Sequence, residues 1–197
     1  LEALDPGKVF FTAQDVAGFA KYQDRLDDAI KSGDVAPAWA IFSVYRQRAN
    51  ERLAYARGLL KGGFDFTSAD RYAFDRKDAP WAADGAALDA LWRQSVKNDW
   101  LRLKLAGKQP DEIRKTLDKR YANMLTGIQQ LKGEEVFQSF LNAYAGAIDP
   151  HTDYLTPRSA ENFNLTISNS LEGIGAVLQR QDDVVLIREI VPGGPAA

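Results

Sequence analysis

The sequence predicts a mainly α-helical protein whose last part changes to β-structure. Up to about residue 150, apolar residues recur at three- and four-residue spacing, the period of helices buried on one face. Glycine and proline interrupt this pattern at several points and divide it into about five helices. Two runs rich in β-branched residues follow, at 174–179 and 184–191.

The first two helices have clear start and stop signals. Thr12 followed by Asp15 predicts the N-cap of the first helix, and Ser32-Gly33 predicts its end. The second begins near Pro37 and ends at Gly62-Gly63. Each has an apolar stripe to bury, so we expect these two helices to pair as an antiparallel hairpin.

An irregular segment separates these helices from the next three. Residues 64–83 carry alternating aromatics and are interpreted as an ordered loop held by them, with a short two-stranded ribbon as the alternative. Asp84 predicts the N-cap of the third helix, which extends to about Ala106. Pro110 opens the fourth helix, and Glu134 opens the fifth, which extends to about Ile148. The four tryptophans are interpreted as packing residues.

The pattern changes at Asp149-Pro150. Proline biases the residue before it away from helix, so the fifth helix is expected to end there. A short helix is expected over residues 159–164. The two β-rich runs, separated by a polar turn at 180–183, predict a hairpin. A lone two-stranded hairpin is marginally stable, so this segment is expected to begin a larger β domain.

Composition excludes several classes of function. The net charge is −2 with no basic tract, which gives no electrostatic footprint for nucleic acid. The absence of cysteine excludes disulfides, thiol catalysis and cysteine-ligated zinc. No apolar run approaches the roughly 18 residues of a membrane span. One histidine, His151, cannot make a histidine-rich metal site, and the nearby carboxylates of Asp149 and Asp153 form at best a weak oxygen site, so no metal or other cofactor is predicted.

Two motifs carry a resemblance to a known family. Residues 148–157, IDPHTDYLTP, are similar to the D-P-H-[ST]-x-Y-[LM]-[ST]-P signature of the tail-specific (carboxyl-terminal processing) serine proteases. Residues 171–178, LEGIGAVL, resemble the opening of the PDZ domain embedded in those enzymes, and PGGPAA follows at the usual distance. Residues 78–81 and 91–108 are similar to the helical N-terminal region of the long, Gram-negative periplasmic branch.

The resemblance implies a parent serine endopeptidase with a Ser–Lys dyad, which degrades or processes periplasmic proteins selected by an apolar carboxyl terminus. In that family the dyad lies well downstream of the PDZ domain, so no residue of this chain is expected to be catalytic. The implied organisation is a helical domain over 1–150, a connecting segment over 151–170 and the start of a truncated PDZ domain over 171–197. An adaptor protein or a second copy on the helical domain is implied as a partner, and the periplasm near the inner membrane as the location.

The best candidate site is a glycine loop before the first strand. A PDZ domain binds a chain end by adding it as a strand to a sheet edge, while backbone amides hold the terminal carboxylate. By the resemblance, Val177 and Leu178 pair with that peptide strand. The carboxylate loop consists of Gly173, Ile174, Gly175 and Ala176. Taken alone, Gly-x-Gly is also the pattern of an ordinary turn.

Other interpretations remain open at this stage. Residues 149–152 are interpreted as a hydrogen-bonded turn, and nothing around His151 has the strand–turn context of a catalytic triad. The alternative to a protease is a non-catalytic binding scaffold made of a helical domain and a PDZ domain. A plain helical structural protein would explain the first 150 residues but not the glycine loop.

Overall fold

The computed structural model describes residues 1–68, 70–168, 173–181 and 184–196. They form two compact units, Leu1–Tyr154 and Leu155–Ala197. The first unit is helical, and the second contains a helix and a β-hairpin, which confirms the predicted fold class. In chain order the elements are α1 (Ala13–Phe19), a 3₁₀ segment (Ala20–Arg25), α2 (Leu26–Ser32), α3 (Ala36–Leu59), α4 (Gly85–Leu105), α5 (Pro110–Gln130), α6 (Gly133–Ile148), α7 (Pro157–Ser168), β1 (Ala176–Gln181) and β2 (Val184–Ile190).

The first residues fold around the buried carboxylate of Asp5. Its oxygens accept the backbone N–H groups of Val9 at 2.8 Å, Phe10 at 2.8 Å and Phe11 at 3.0 Å. A buried carboxylate needs such partners, because an unpaired one would lose its hydration without compensation. The same bonds turn Phe10 and Phe11 into the core, where both rings pack on Tyr45.

The first predicted helix is broken into three pieces. Thr12 caps α1 in a capping box with Asp15, and Gly33 ends α2 in the left-handed conformation at φ 72°, both as predicted. Between them, residues 20–25 form a 3₁₀ segment in which Asp24 leaves the helical backbone at φ −95° and ψ 16°. This segment has no buried residue, so no packing holds it in the α-helical form.

Helix α3 is the central helix of the first unit. Its main packing partners are α4, α5 and α6, so the predicted hairpin with the first helix is wrong. Two seven-residue helices of about 10 Å each are too short to cover a helix of about 36 Å. From Ala38 onward the buried positions of α3 recur every three or four residues; the buried residues of the helix are Pro37, Ala38, Phe42, Tyr45, Ala49, Leu53 and Ala56.

Helices α4 and α5 complete the core. Asp84 caps α4 as predicted, by accepting the N–H of Ala87 at 2.8 Å. Burying a large apolar side chain stabilises a fold by about 1.5–3 kcal/mol, so these faces contribute much of the stability. The buried residues of the two helices are Leu88, Trp92, Val96, Trp100, Ile113, Leu117 and Tyr121.

Helix α6 is less buried than its apolar pattern predicts. Among its residues only Val136 is buried, and Ile148 is 71% exposed. Trp39 of α3 lies against the start of α6, where a Cβ on Gly133 would come within 3.1 Å of the indole ring. Trp39 itself is 40% exposed. The core interpretation of the tryptophans is therefore confirmed for Trp92 and Trp100, but not for Trp39.

Residues 64–83 form the predicted loop, and the part that the structure describes contains no ribbon. In this described part, the loop makes one β-type contact, an isolated bridge between Ala82 and Thr12. Aromatic residues hold it in place, since Phe64 packs edge-on against Trp100 with ring centroids 5.8 Å apart. Trp81 packs on Phe11 in the same manner at 6.0 Å.

The second unit contains α7, β1 and β2. Helix α7 is longer than the predicted 159–164. The strands pair antiparallel from Ala176↔Ile190 to Gln181↔Val184, with an irregularity between Val177 and Leu178, and this confirms the predicted hairpin. Residues 169–172, where the PDZ domain was predicted to begin, and turn residues 182–183 lie outside the described residues. No helix within the described ranges has the length and hydrophobicity of a membrane span.

Candidate functional site

The predicted glycine loop lies directly before β1. Its backbone turns at Gly175, which has φ 73°, a left-handed conformation that glycine adopts without steric cost. The neighbouring Ile174 is 59% exposed. The described part of the loop thus changes direction at Gly175 and leads straight into β1.

A second segment, residues 191–195, packs against this loop, and it was not among the predicted site residues. The N–H of Val191 donates to the carbonyl oxygen of Gly175 at 2.7 Å, and the N–H of Gly194 donates to that of Val191 at 3.0 Å. A Cβ on Gly175 would lie 2.9 Å from Gly194 Cα and from Pro195 N. Both glycines are thus required for the close approach, and the Gly-Gly-Pro run directly after the strand was the available signal.

Two amides of the glycine loop, the N–H groups of Ile174 and Gly175, donate to no residue that the structure describes. Successive amides on a turn form a concave, partly positive surface that suits a carboxylate or phosphate. The groups that this loop offers to an anion are therefore backbone amides.

Strand β1 has one open edge. Among the described residues it pairs only with β2, so the N–H and C=O groups on its other edge are unpaired. The candidate residues Val177 and Leu178 on this strand are 43% and 51% exposed. An extended peptide can add to such an edge as a further strand. The structure thus brings the predicted loop and the predicted pairing strand together.

The predicted turn around His151 has the expected hydrogen bonds. The carboxylate of Asp149 accepts the backbone N–H of His151 at 3.0 Å and the hydroxyl of Thr152 at 2.7 Å. Both bonds lower the pKa of Asp149, and the bond from the N–H of His151 has the larger effect. His151 itself is exposed. The described residues contain no group of three or more His, Cys, Asp or Glu that could hold a metal ion.

Most of the chain matches a known family. Residues 1–158 match the family described as "Tail specific protease N-terminal domain". The chain belongs to this family. The match covers the whole first unit and ends before the glycine loop, and it confirms the resemblance that the motifs indicate.

Curated relatives carry protease names. The tail-specific protease of Haemophilus influenzae is 42% identical over 176 residues, which are 89% of this chain and 25% of that protein. The carboxy-terminal processing protease CtpA of Bacillus subtilis is 42% identical over 48 residues, 24% of this chain and 10% of that protein. A probable CtpA-like serine protease of Staphylococcus aureus is 35% identical over 48 residues, with the same coverage. The chain spans about a quarter of the length of the Haemophilus relative.

This tail-specific protease N-terminal domain also has an apolar groove that the sequence analysis did not predict. It has a volume of about 500 Å³ and lies between the α1–α2 segment and α6. Phe140 and Tyr144 of α6, which are not fully buried, line this groove. Its other apolar lining residues include Leu1, Val16, Phe19, Leu26 and Ile41.

Proposed function

We propose that this chain is the N-terminal support and substrate-recognition region of a tail-specific serine endopeptidase. The observation that carries the proposal is the family match over residues 1–158, supported by the identity to the Haemophilus tail-specific protease. The parent enzyme cleaves proteins through a Ser–Lys dyad that belongs to the remaining three quarters of such a protein. This region supplies no catalytic residue.

In this proposal the second unit contains the start of a PDZ domain. The amides of Ile174, Gly175 and Ala176 hold the terminal carboxylate of a substrate, with Gly173 leading into the turn. This assignment is supported by the left-handed Gly175 and by the amides of Ile174 and Gly175, which donate to no residue that the structure describes.

The substrate strand then adds to the open edge of β1. Val177 and Leu178 are apolar and exposed there, which suits a substrate with an apolar carboxyl terminus because both sides lose water-exposed apolar surface. The helical unit supports this domain and receives an adaptor protein or a second copy. The parent acts on proteins of the periplasm, near the inner membrane.

Peptide binding to the full-length parent tests the carboxylate loop. An apolar peptide with a free carboxyl terminus should bind at least about tenfold more tightly than its amidated form, because only the free acid carries a charge for the amides. Gly175→Ala should remove this preference. Gly146→Ala in α6, where a Cβ meets nothing within 4 Å, should keep it. Equal binding of the two peptides to the unaltered parent would contradict the proposal.

Cleavage distinguishes the protease from a non-catalytic scaffold. The parent should degrade a test protein that ends in apolar residues and spare the same protein ending in two aspartates. This 197-residue chain alone should release no fragment from either. A parent that binds the apolar tail and leaves it intact would favour the helical–PDZ scaffold.

A further inference from the structure

A basic cavity opens on the surface of the first unit, at the ends of three helices. Its volume is about 640 Å³. It is bounded by the chain that leaves α3, the end of α4 and the start of α5. None of the described residues that line it is an Asp or a Glu. Its cationic residues are Lys61, Lys104, Lys108 and Arg114.

Two of these four cations have no acidic partner among the residues that the structure describes. Lys108 pairs with Glu112, and Arg114 pairs with Asp111 at 2.9 Å. Within the described part of the chain, the Lys61 ammonium group has no side-chain partner. The Lys104 ammonium group lies over the ring of Phe66, 4.9 Å from its centroid, and has no carboxylate partner there. The rim therefore carries two positive charges that an anionic ligand can pair with.

The floor of the cavity is apolar and well packed. Trp100 and Ile113 are 5% and 1% exposed, and Phe64 packs edge-on against Trp100. Gly63 and Gly107 turn the chain at its rim with φ of 66° and 83°. Glycine adopts this conformation without steric cost and keeps the two turns free of side chains.

We infer that this cavity binds an acidic residue and a neighbouring apolar side chain of an extended polypeptide. Lys61 and Lys104 pair with the carboxylate, while the apolar side chain contacts the half-buried rings of Phe64 and Phe66. The volume of the cavity lies in the range of ordinary ligand sites, which is about 300–1,000 Å³. The inference rests on the proposed function only in taking the polypeptide to be a protein substrate of the parent.

A polypeptide fits this cavity better than a membrane surface does. Membrane-binding surfaces present apolar side chains outward, so that they enter the interface next to the basic groups. Here the apolar groups are recessed, since Trp100 and Ile113 are buried beneath the rim. Only a ligand group that enters the cavity reaches the half-buried rings of Phe64 and Phe66 beside them.

The test uses an acetylated and amidated peptide of alternating Glu and Phe, titrated against the full chain by fluorescence anisotropy. Its blocked ends prevent recognition as a chain terminus. The same peptide with Gln in place of Glu should bind at least about tenfold more weakly to the unaltered chain. The Glu peptide should lose at least as much affinity for the double variant Lys61→Gln/Lys104→Gln. Lys115→Gln, an exposed position on α5 outside the cavity, should change binding less than about twofold. Added salt should weaken the Glu peptide selectively.

Several results would overturn the inference. These are no binding of the Glu peptide, equal binding of the Glu and Gln peptides, or an equal loss in Lys115→Gln. Binding to phosphatidylglycerol vesicles in place of the peptide would assign the cavity to lipid. The assay needs neither a free carboxyl terminus nor cleavage, so its failure leaves the proposed function untouched. Loss of the terminal-carboxylate preference would likewise leave this cavity untouched.

Discussion

At the residue scale, Asp15 joins two helices that are far apart in the sequence. Its carboxylate accepts the backbone N–H and the hydroxyl of Thr12, and it accepts Nε–H and Nη2–H of Arg48 at 2.9 Å each. Burial by itself would raise the pKa of Asp15, but the hydrogen bonds from Arg48 and Thr12 outweigh it, so the pKa is lowered. Asp15 thus connects the start of α1 to the middle of α3.

The lowered pKa of Asp15 predicts a pH-dependent contribution to stability. A depressed carboxyl pKa stabilises the fold above the unfolded value of about 3.9, and this contribution disappears as pH falls through the lower folded value. Asp15→Asn should therefore lower the free energy of unfolding by about 2 kcal/mol at pH 7. Below about pH 4 the difference from the unaltered chain should shrink.

Urea unfolding at pH 2.5 to 7 measures this difference, with Asp78→Asn as the control. Asp78 is exposed, and its substitution should change stability by less than about 0.5 kcal/mol at every pH. A difference between Asp15→Asn and the unaltered chain that stays constant down to pH 2.5 would show that the charge of Asp15 contributes nothing.

At the element scale, local chemistry sets the ends of the helices, and packing sets their continuity. Thr12 and Asp84 cap their helices through side-chain oxygens, and Gly33 ends α2 through a left-handed turn. These signals act within a few residues. The break at residues 20–25 and the exposure of α6 depend on which other elements pack against them. No capping residue in the sequence indicates either feature.

Two glycines test the contact between α3 and α6. Gly127→Ala in α5 should raise the free energy of unfolding by about 0.5–1 kcal/mol, because a Cβ there meets nothing within 4 Å and glycine is a poor helix former. Gly133→Ala should bring no gain, because its Cβ would lie 3.1 Å from the Trp39 ring. Chemical denaturation of the two variants measures this. Equal stabilisation by both would mean that Trp39 does not pack firmly against α6.

At the scale of the whole molecule, the described core belongs to the first unit. Its buried cluster extends from Phe10 to Val136. In the second unit, strand residues such as Val185 and Ile187 are 63% and 65% exposed. Folding stability comes mainly from buried apolar area, so most of it resides before residue 155.

Residues 1–154 alone should therefore fold cooperatively. The melting temperature, followed by circular dichroism, should stay within about 4 °C of that of the full chain, since about 1 kcal/mol corresponds to a shift of that size. Residues 1–130 provide the control, because they lack α6 and with it Val136 of the core. That shorter chain should melt much lower. A broad, non-cooperative transition for 1–154 would show that the second unit is needed for the fold.

Much of the candidate site could be predicted from the sequence, but its closure could not. The loop at 173–176 and the following strand can be recognised from the sequence. Glycines favour turns, and β-branched residues favour extended backbone, at the positions where they occur. The approach of Gly194 to Gly175 joins residues 19 positions apart, and it depends on the register of β1 against β2. Sequence spacing alone does not determine that register.

The sequence by itself determined the helical segments, their caps, the hairpin and the family resemblance, because each arises from residues close together in the chain. Only the tertiary structure decided the bond between Asp15 and Arg48, the burial of Asp5 and the basic cavity at Lys61 and Lys104. These features join residues from separate elements. Their distances are set by how whole helices pack, and helix packing is a sum of many weak contacts that no short motif encodes.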